Sequence, residues 1–217
     1  MYGRAAVRVL TWNLFHGRTV PPSGRSQLAE FAALLSGWAW DAALLQEVPP
    51  WWAAALAQAC GADVRRVLTS RNFLPTARRA LSARNPDFLG ANGGGCNAIL
   101  VRGRILDHRA HRLTWWPERR WAHAVRLEDG WVVNVHASTH RSAWALRDTL
   151  RAFAWAPRPL LVFGGDLNLR SVSLPGLRHV AGNHVDHLFS DGRPGAGEVL
   201  DRGRLSDHAP VVADLAA

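Results

Sequence analysis

Short apolar segments of strand length recur along this chain, and most of them end in a polar side chain. In the most informative one, residues 160–163 are followed by two glycines and then by Asp166 and Asn168. Glycine permits a sharp turn and the close approach of a ligand, so the two glycines are expected to end the strand. If the extended conformation continued, Asp166 and Asn168 would point to the same side. Such a pair can hold a water beside a phosphate or a metal, although Gly, Asp and Asn are also ordinary turn residues.

The pattern of apolar residues predicts a strand-rich α/β protein. Strands are expected at residues 7–14, 42–46, 63–68, 97–102, 106–113, 121–127, 131–136, 160–163, 185–189 and 209–214. Helical spacing predicts helices at 28–38, 51–60 and 143–155, and a short one near 76–83 within the irregular segment 71–95. Ser26 is the expected N-cap of the first helix, and Leu146, Leu150 and Phe153 form the apolar face of the third long one. Most strands are apolar throughout, which favours burial on both faces. We therefore predict a four-layer α/β sandwich, with two packed mixed β-sheets and helices outside, as one domain over residues 1–217.

Composition limits the class of protein. The 217 residues are 48% hydrophobic, enough for a two-layer core. The sequence lacks both an apolar run near the ~20 residues of a membrane helix and a signal-peptide pattern, so we expect a cytoplasmic protein. We also expect a monomer. The two cysteines, Cys60 and Cys96, lack metal-site spacing and are expected to be buried free thiols.

The charge of the chain is strongly positive. The formal net charge is +9, and every one of the 26 basic residues is arginine. The guanidinium group offers a planar fork for phosphate oxygens, which favours a polyanionic partner. The arginines are scattered, however, and a bias in genome composition is the alternative explanation for an arginine-rich chain.

A set of polar residues at the predicted strand ends carries the chemistry. These residues are Asn13, Glu47, His136, Asp166, Asn168, Asp186, Asp207 and His208. Taken singly, each has an ordinary structural explanation as a turn, solvated or core residue. If the strand ends converge, their carboxylate and amide oxygens suit Mg²⁺, with Mn²⁺ as the alternative. Cysteine is absent from the set, which argues against a structural zinc site.

The order of these residues resembles a known family. The segments are Thr11-Trp12-Asn13, Leu45-Gln46-Glu47, Asn134-Val135-His136, Gly165-Asp166-Leu167-Asn168, Val185-Asp186-His187 and Ser206-Asp207-His208. Together they look like the six motifs of the endonuclease/exonuclease/phosphatase superfamily, which has a DNase I-like fold, and the resemblance extends from Val7 to Val212.

The resemblance implies a role for each matching position. Glu47 would be the principal Mg²⁺ ligand, with Asn13 and Asp207 assisting through water. Asp166 would orient and deprotonate the attacking water, and Asn168 would hold that water or a phosphate oxygen. His136 and His208 would donate hydrogen bonds to the phosphate, each favoured as a donor where a carboxylate raises its pKa. Asp186 would accept a hydrogen bond from His208 and fix its tautomer.

The substrate is left open at this point. A nucleic acid is favoured, with a phospholipid or small phosphate ester as the alternative and an inactive binding module as a third possibility. The sole tyrosine, Tyr2, lies outside the motifs, which disfavours an AP endonuclease.

Several loop residues are further candidates for the site. Arg71 and Asn72 are candidate phosphate contacts or simply an exposed loop pair, and Asp87 is a candidate acidic partner for His136. Two tryptophan pairs could form aromatic surfaces or pack in the core. They are Trp115-Trp116, beside Arg119-Arg120, and Trp51-Trp52.

Overall fold

The computed structural model describes residues 6–216, whose strands form two six-stranded sheets. The first sheet has the spatial order β11 (Arg193–Val199), β12 (Val211–Ala216), β1 (Val7–Asn13), β2 (Ala42–Val48), β4 (Cys96–Val101) and β3 (Asp63–Leu68). The second has the order β5 (Asp107–Thr114), β6 (Arg120–Arg126), β7 (Trp131–His136), β8 (Leu160–Asp166), β10 (Asp186–Ser190) and β9 (Arg178–Asn183). The same residues form the helices α1 (Leu28–Gly37), α2 (Ala53–Cys60), α3 (Pro75–Arg84) and α4 (Ser142–Trp155). None of these helices is long and apolar enough to span a membrane.

Both sheets are mixed. Among the described strands, each sheet has one parallel pair, β1 with β2 and β7 with β8, and the remaining pairs are antiparallel. The inner faces of the two sheets meet in one buried cluster that includes Val9 and Ile99 from the first sheet and Val132 and Val162 from the second. Burying a side chain of this size contributes about 1.5–3 kcal/mol. The predicted sandwich of two packed mixed sheets is confirmed.

The helices cover the outer faces. Helices α1 and α2 place Phe31 and Leu56 in a cluster with Trp12 on the outer face of the first sheet. Helix α4 places Ala152 against Phe163 on the second. The buried face of α4 carries small and polar residues, so the predicted face with Leu146 and Leu150 is wrong. Both leucines are exposed, although the partly buried Phe153 does pack against the core.

A buried polar bridge also joins the two sheets. The Nε2 atom of Gln46 on β2 donates to Asn134 Oδ1 on β7 over 2.8 Å, and to Thr11 Oγ1 over 3.1 Å. In return, Asn134 Nδ2 donates to the carbonyl oxygens of Leu45 and Ala98, each over 3.0 Å. Removing one partner would leave a buried polar group without a hydrogen bond and would lower the stability of the fold by about 1–3 kcal/mol. The bridge therefore fixes how the sheets align.

The glycines after residue 163 do not end the strand as predicted. Strand β8 continues through both to Asp166, pairing Gly164 with Leu188 and Asp166 with Asp186. Gly165 has φ +129°, and a Cβ there would lie 2.0 Å from the carbonyl oxygen of Val135. Glycine thus lets β8 approach β7 closely enough to pair up to the carboxyl end of both strands.

Other boundaries differ in smaller ways. The sequence reasoning missed β9 and β11, which lie at the edges of their sheets. Gln27, not Ser26, is the N-cap of α1, and no side-chain hydrogen bond caps that helix. Helix α3 confirms the short helix predicted within the irregular segment. Cys60 and Cys96 are buried and free, as predicted.

Candidate active site

The parallel strands of both sheets end at a common point. Asn13 ends β1 and Asp166 ends β8, and the Asn13 Nδ2 atom donates to Asp166 Oδ2 over 2.8 Å across the two sheets. Asn13 is itself oriented, because its Oδ1 atom accepts from the backbone nitrogen of Phe15 over 2.9 Å. The predicted convergence of strand ends is thus present in the structure for these two residues.

Asp166 is held through both of its oxygens. Besides the bond from Asn13, its Oδ1 atom accepts from the backbone nitrogen of Asn168 over 3.0 Å. Asn168 has φ +51°, so the extended conformation does not persist and the two side chains do not share a face. The Asn168 Nδ2 atom instead donates to the Ala137 carbonyl over 3.1 Å. Asn168 therefore fixes the loop that orients Asp166.

Glu47 and two histidines form the part of the site nearest the cleft. Glu47 Oε1 lies 3.8 Å from His136 Nε2, and Glu47 Oε2 lies 3.1 Å from His16 Nε2. The other ring nitrogen of His16 lies 3.2 Å from the Gly94 carbonyl oxygen. Sequence reasoning missed His16 as a site residue. The available signal was its position three residues after Asn13, in the turn that follows the strand end.

His136 is buried and lies between carboxylates. Its Nε2 atom is 3.6 Å from Asp166 Oδ2 and has no hydrogen-bond partner among the described residues. Burial, reinforced by Arg120 and the neighbouring histidines, holds the pKa of His136 well below its ordinary value. The expectation of a raised pKa is therefore wrong for this histidine, which is neutral at neutral pH.

Asp87 is also not the acidic partner of His136. It pairs with Arg18 over 3.1 Å and accepts from the backbone nitrogen of Gly24 over 3.1 Å. The acidic groups that face His136 are Glu47 and Asp166.

The pKa of His208 is raised, in contrast to that of His136. The predicted hydrogen bond to Asp186 is present, with 2.7 Å between His208 Nδ1 and Asp186 Oδ2. Burial lowers the pKa of His208, but the hydrogen bond and the charges of Asp186, Asp166 and Asp207 outweigh it and raise the pKa to about 9. Burial raises the pKa of Asp186 to about 7, against the effect of His208. The shared proton lies on His208, the stronger base, so its Nε2 atom presents an N–H at neutral pH. Asp207 is half-exposed, with its Oδ1 atom 3.8 Å from His208 Nε2.

A cleft of about 200 Å³ opens beside these groups. Its walls include Glu47, His136 and three arginines, Arg71, Arg119 and Arg120. The candidate phosphate contact Arg71 therefore does face the cleft.

The other candidate phosphate contact directs its amide nitrogen to the backbone. Asn72 donates to the carbonyl oxygens of Thr69, Ser70 and Gly95 over 2.9–3.1 Å, so it shapes the loop instead. Glu118, which the sequence reasoning missed, lies between Arg71, at 3.4 Å, and Arg120.

Of the tryptophan pair after β2, Trp51 is partly buried and Trp52 does not contribute to an aromatic surface. Trp52 is buried against Phe31, with 5.5 Å between ring centroids. It belongs to the core beneath helices α1 and α2.

The donor set fits a divalent cation. One oxygen each of Asp166 and Asp186 and one nitrogen of His208 lie within 4.8 Å of one another, and Asp186 Oδ1 has no hydrogen-bond partner among the described residues. Glu47 adds a half-buried carboxylate on the cleft wall. Clustered carboxylates suit Mg²⁺ or Mn²⁺.

Known structures share this architecture. An endonuclease/exonuclease/phosphatase from Beutenbergia cavernae is 20% identical, with 98% of this chain and 72% of that chain covered and a TM-score of 0.76. Danio rerio TDP2 in complex with a single-strand DNA product is 16% identical, with 97% of this chain and 99% of that chain covered and a TM-score of 0.64. Caenorhabditis elegans TDP2 is 18% identical, with 98% and 74% covered and a TM-score of 0.64. No curated protein sequence matches this chain.

The sequence itself identifies the family. The sequence model described as Endonuclease/Exonuclease/phosphatase family matches residues 10–208. This range contains every polar residue of the site described above. The chain therefore belongs to the Endonuclease/Exonuclease/phosphatase family and is a metal-dependent phosphoric ester hydrolase.

Proposed function

We propose that this enzyme is a Mg²⁺-dependent phosphodiesterase that cleaves nucleic acid. The observation that carries the proposal is the cleft beside Glu47 and His136, whose walls include three arginines. Arg71 and Arg120 are paired with Glu118, so the exposed Arg119 is the first candidate for binding phosphate oxygens. The net charge of +9 supports a polyanionic substrate. The single-strand DNA product bound to the Danio rerio TDP2 neighbour supports the same substrate class.

Asp166 is the proposed general base. Its two oxygens are oriented by Asn13 and by the backbone of Asn168, and the residue is only 2% exposed. A carboxylate fixed in this way can accept the proton of a water that attacks phosphorus, a role typically worth about 10²–10⁴-fold in rate.

His208 is the proposed donor to the phosphate. Its Nε2–H is free for this bond because Nδ1 is occupied by Asp186. The donor stabilises the negative charge that gathers on the phosphoryl oxygens in the transition state. His136, held neutral, can also donate one hydrogen bond to the same group, provided that the proton lies on Nε2.

Glu47 is the proposed principal ligand of Mg²⁺, with Asn13 and Asp207 assisting through water. When bound, the cation supplies positive charge to the phosphoryl oxygens.

A phospholipid is the alternative substrate. Phe73, Leu74 and Phe88 are 65%, 68% and 72% exposed in the loop segment that also contributes Arg71 to the cleft. Exposed apolar side chains beside a phosphate cleft would suit a lipid surface. The arginine-lined walls favour the nucleic acid.

The test is cleavage of plasmid DNA, single-stranded DNA and RNA with Mg²⁺, with EDTA as the metal-free control. We expect Mg²⁺-dependent cleavage that falls about 100- to 10,000-fold in Asp166→Asn. Asp63→Asn is the matched control, because Asp63 is exposed and pairs with Val101 at the far end of the first sheet. It should cleave like the wild type.

Near-normal activity of Asp166→Asn would refute the assignment of the base. Hydrolysis of phospholipid without cleavage of any nucleic acid would favour the alternative substrate. Inactivity on both would favour a binding module.

A further inference from the structure

A pair of exposed tryptophans lies beside the cleft, and the proposed mechanism does not use them. Trp115 and Trp116 are 61% and 82% exposed, and they belong to the five-residue loop between β5 and β6. Exposing two adjacent indoles forgoes the large stabilisation that burial of an aromatic ring gives. Their exposure therefore points to a binding surface.

The ring of Trp115 is flanked by two cations. The Cζ atoms of Arg112 and Arg119 each lie 5.0 Å from the centroid of the Trp115 ring. The same Arg119 lines the catalytic cleft. The aromatic surface and the phosphate cleft are thus continuous, with one arginine shared between them.

Both ends of the loop are fixed. At the end of β5, Thr114 Oγ1 donates to the buried carboxylate of Asp148 on α4 over 2.6 Å. At the start of β6, the backbone nitrogen of Arg119 donates to Ser70 Oγ over 2.6 Å. A surface held in this way loses little conformational entropy when it binds a ligand.

We infer that Trp115 and Trp116, with Arg112 and Arg119, form a stacking platform for unpaired nucleotides next to the phosphodiester in the cleft. The inference rests on the proposed function and adds to it a preference for single-stranded substrate. Nucleobases stack on indole rings whatever their sequence, and the two guanidinium groups can neutralise adjacent phosphates. A duplex keeps its bases stacked on one another and cannot use the platform fully.

The first measurement is affinity for a fluorescein-labelled ten-residue oligothymidylate by fluorescence anisotropy, in EDTA so that no metal-dependent cleavage occurs. Trp115→Ala should weaken binding roughly 5- to 100-fold, in keeping with the loss of one stacked base. Trp115→Phe should recover most of the affinity. Arg112→Gln should weaken binding and lower the salt dependence by the equivalent of about one phosphate contact.

Matched controls lie at the opposite end of the sheets. Leu106→Ala and Arg104→Gln remove an exposed apolar group and an exposed arginine near the start of β5. Both should bind the oligonucleotide like the wild type. Trp115→Ala should weaken binding of the protein to a blunt duplex less than it weakens binding to the oligothymidylate.

The second measurement is the kinetics of oligonucleotide cleavage with Mg²⁺. Trp115→Ala should raise KM and leave kcat near that of the wild type, because the indole does not touch the reacting phosphate. If Trp115→Ala failed to fold, Trp115→Phe and Arg112→Gln would carry the test through the affinities above.

The outcomes separate the platform from the proposed function. Unchanged oligonucleotide affinity in Trp115→Ala and Arg112→Gln would overturn the platform, even if the enzyme cleaved DNA. Platform-dependent binding without cleavage by the wild type would overturn the proposed function alone. Loss of binding to phosphatidylglycerol vesicles in Trp115→Ala, with oligonucleotide affinity unchanged, would assign the surface to membranes and overturn the platform.

Discussion

Replacing Asp186 by asparagine should move the alkaline limit of activity to lower pH. The 2.7 Å hydrogen bond and the charge of Asp186 are the main reasons that the pKa of His208 stands at about 9 and not near its ordinary 6.5. At 1.36 kcal/mol per unit, that difference is on the order of 3 kcal/mol in favour of the imidazolium. Asparagine keeps an acceptor oxygen beside Nδ1 and removes the charge.

The direction of the shift in the alkaline limit depends on which protonation state of His208 is active. In the proposed mechanism the protonated ring donates to the phosphate, so wild-type kcat/KM should fall as the pH rises through about 9. Without the charge of Asp186, the ring loses its proton at lower pH. We expect the alkaline limb of kcat/KM to move down by about one to two units.

Two measurements check this prediction. The pH dependence of kcat/KM gives the limb, and a histidine NMR titration in EDTA gives the pKa of His208 directly. Asp207→Asn is the matched control, since its charge makes the smallest contribution to raising the pKa of His208 and should shift it less. A His208 pKa that stays near 9 in Asp186→Asn would refute the reasoning.

Four further changes test other parts of the structure. Glu47→Gln should raise the Mg²⁺ concentration that gives half-maximal activity at least about 10-fold; an unchanged metal titration would exclude Glu47 as a ligand. His123 is fully buried with its pKa lowered to about 3, so it stays neutral while the unfolded chain gains a proton below about 6.5. Between pH 7 and pH 5, the free energy of unfolding of His123→Phe should therefore fall by about 2 kcal/mol less than that of the wild type, as measured by urea unfolding at both pH values. Gly165→Ala places a Cβ 2.0 Å from a backbone oxygen and should cost at least about 3 kcal/mol in thermal unfolding. Asn72→Ala removes donors to three carbonyls and should cost about 1–3 kcal/mol in the same assay.

The sequence predicted central strands well and edge strands poorly. Strands such as β7 are rich in apolar residues because they are buried on both faces. Strand β9 contains only Val180 and Ala181 as apolar residues, and β11 contains two glycines and a proline. These strands are held by hydrogen bonds to a neighbouring strand. Their sequences have no periodic pattern of apolar residues from which a strand could be predicted.

The site was predictable as a set of residues and not as a set of contacts. Asn13, Glu47 and Asp166 could be predicted as site residues because they are polar residues at strand ends, and parallel strands end at the same edge of a sheet. The contact of His16 with Glu47 depends on a turn with positive φ angles, which a sequence pattern does not specify. The low pKa of His136 depends on burial, which only the packed sheets determine.

The polar bridge between Gln46 and Asn134 has a mechanical consequence. Glu47 follows Gln46 on one sheet, and His136 lies two residues beyond Asn134 on the other. Any sliding of the sheets past each other would separate these two halves of the site. The bridge that resists sliding of the sheets therefore also keeps the two halves of the site aligned. Substitutions that remove hydrogen bonds from the bridge should slow turnover at temperatures where the strands are still fully paired.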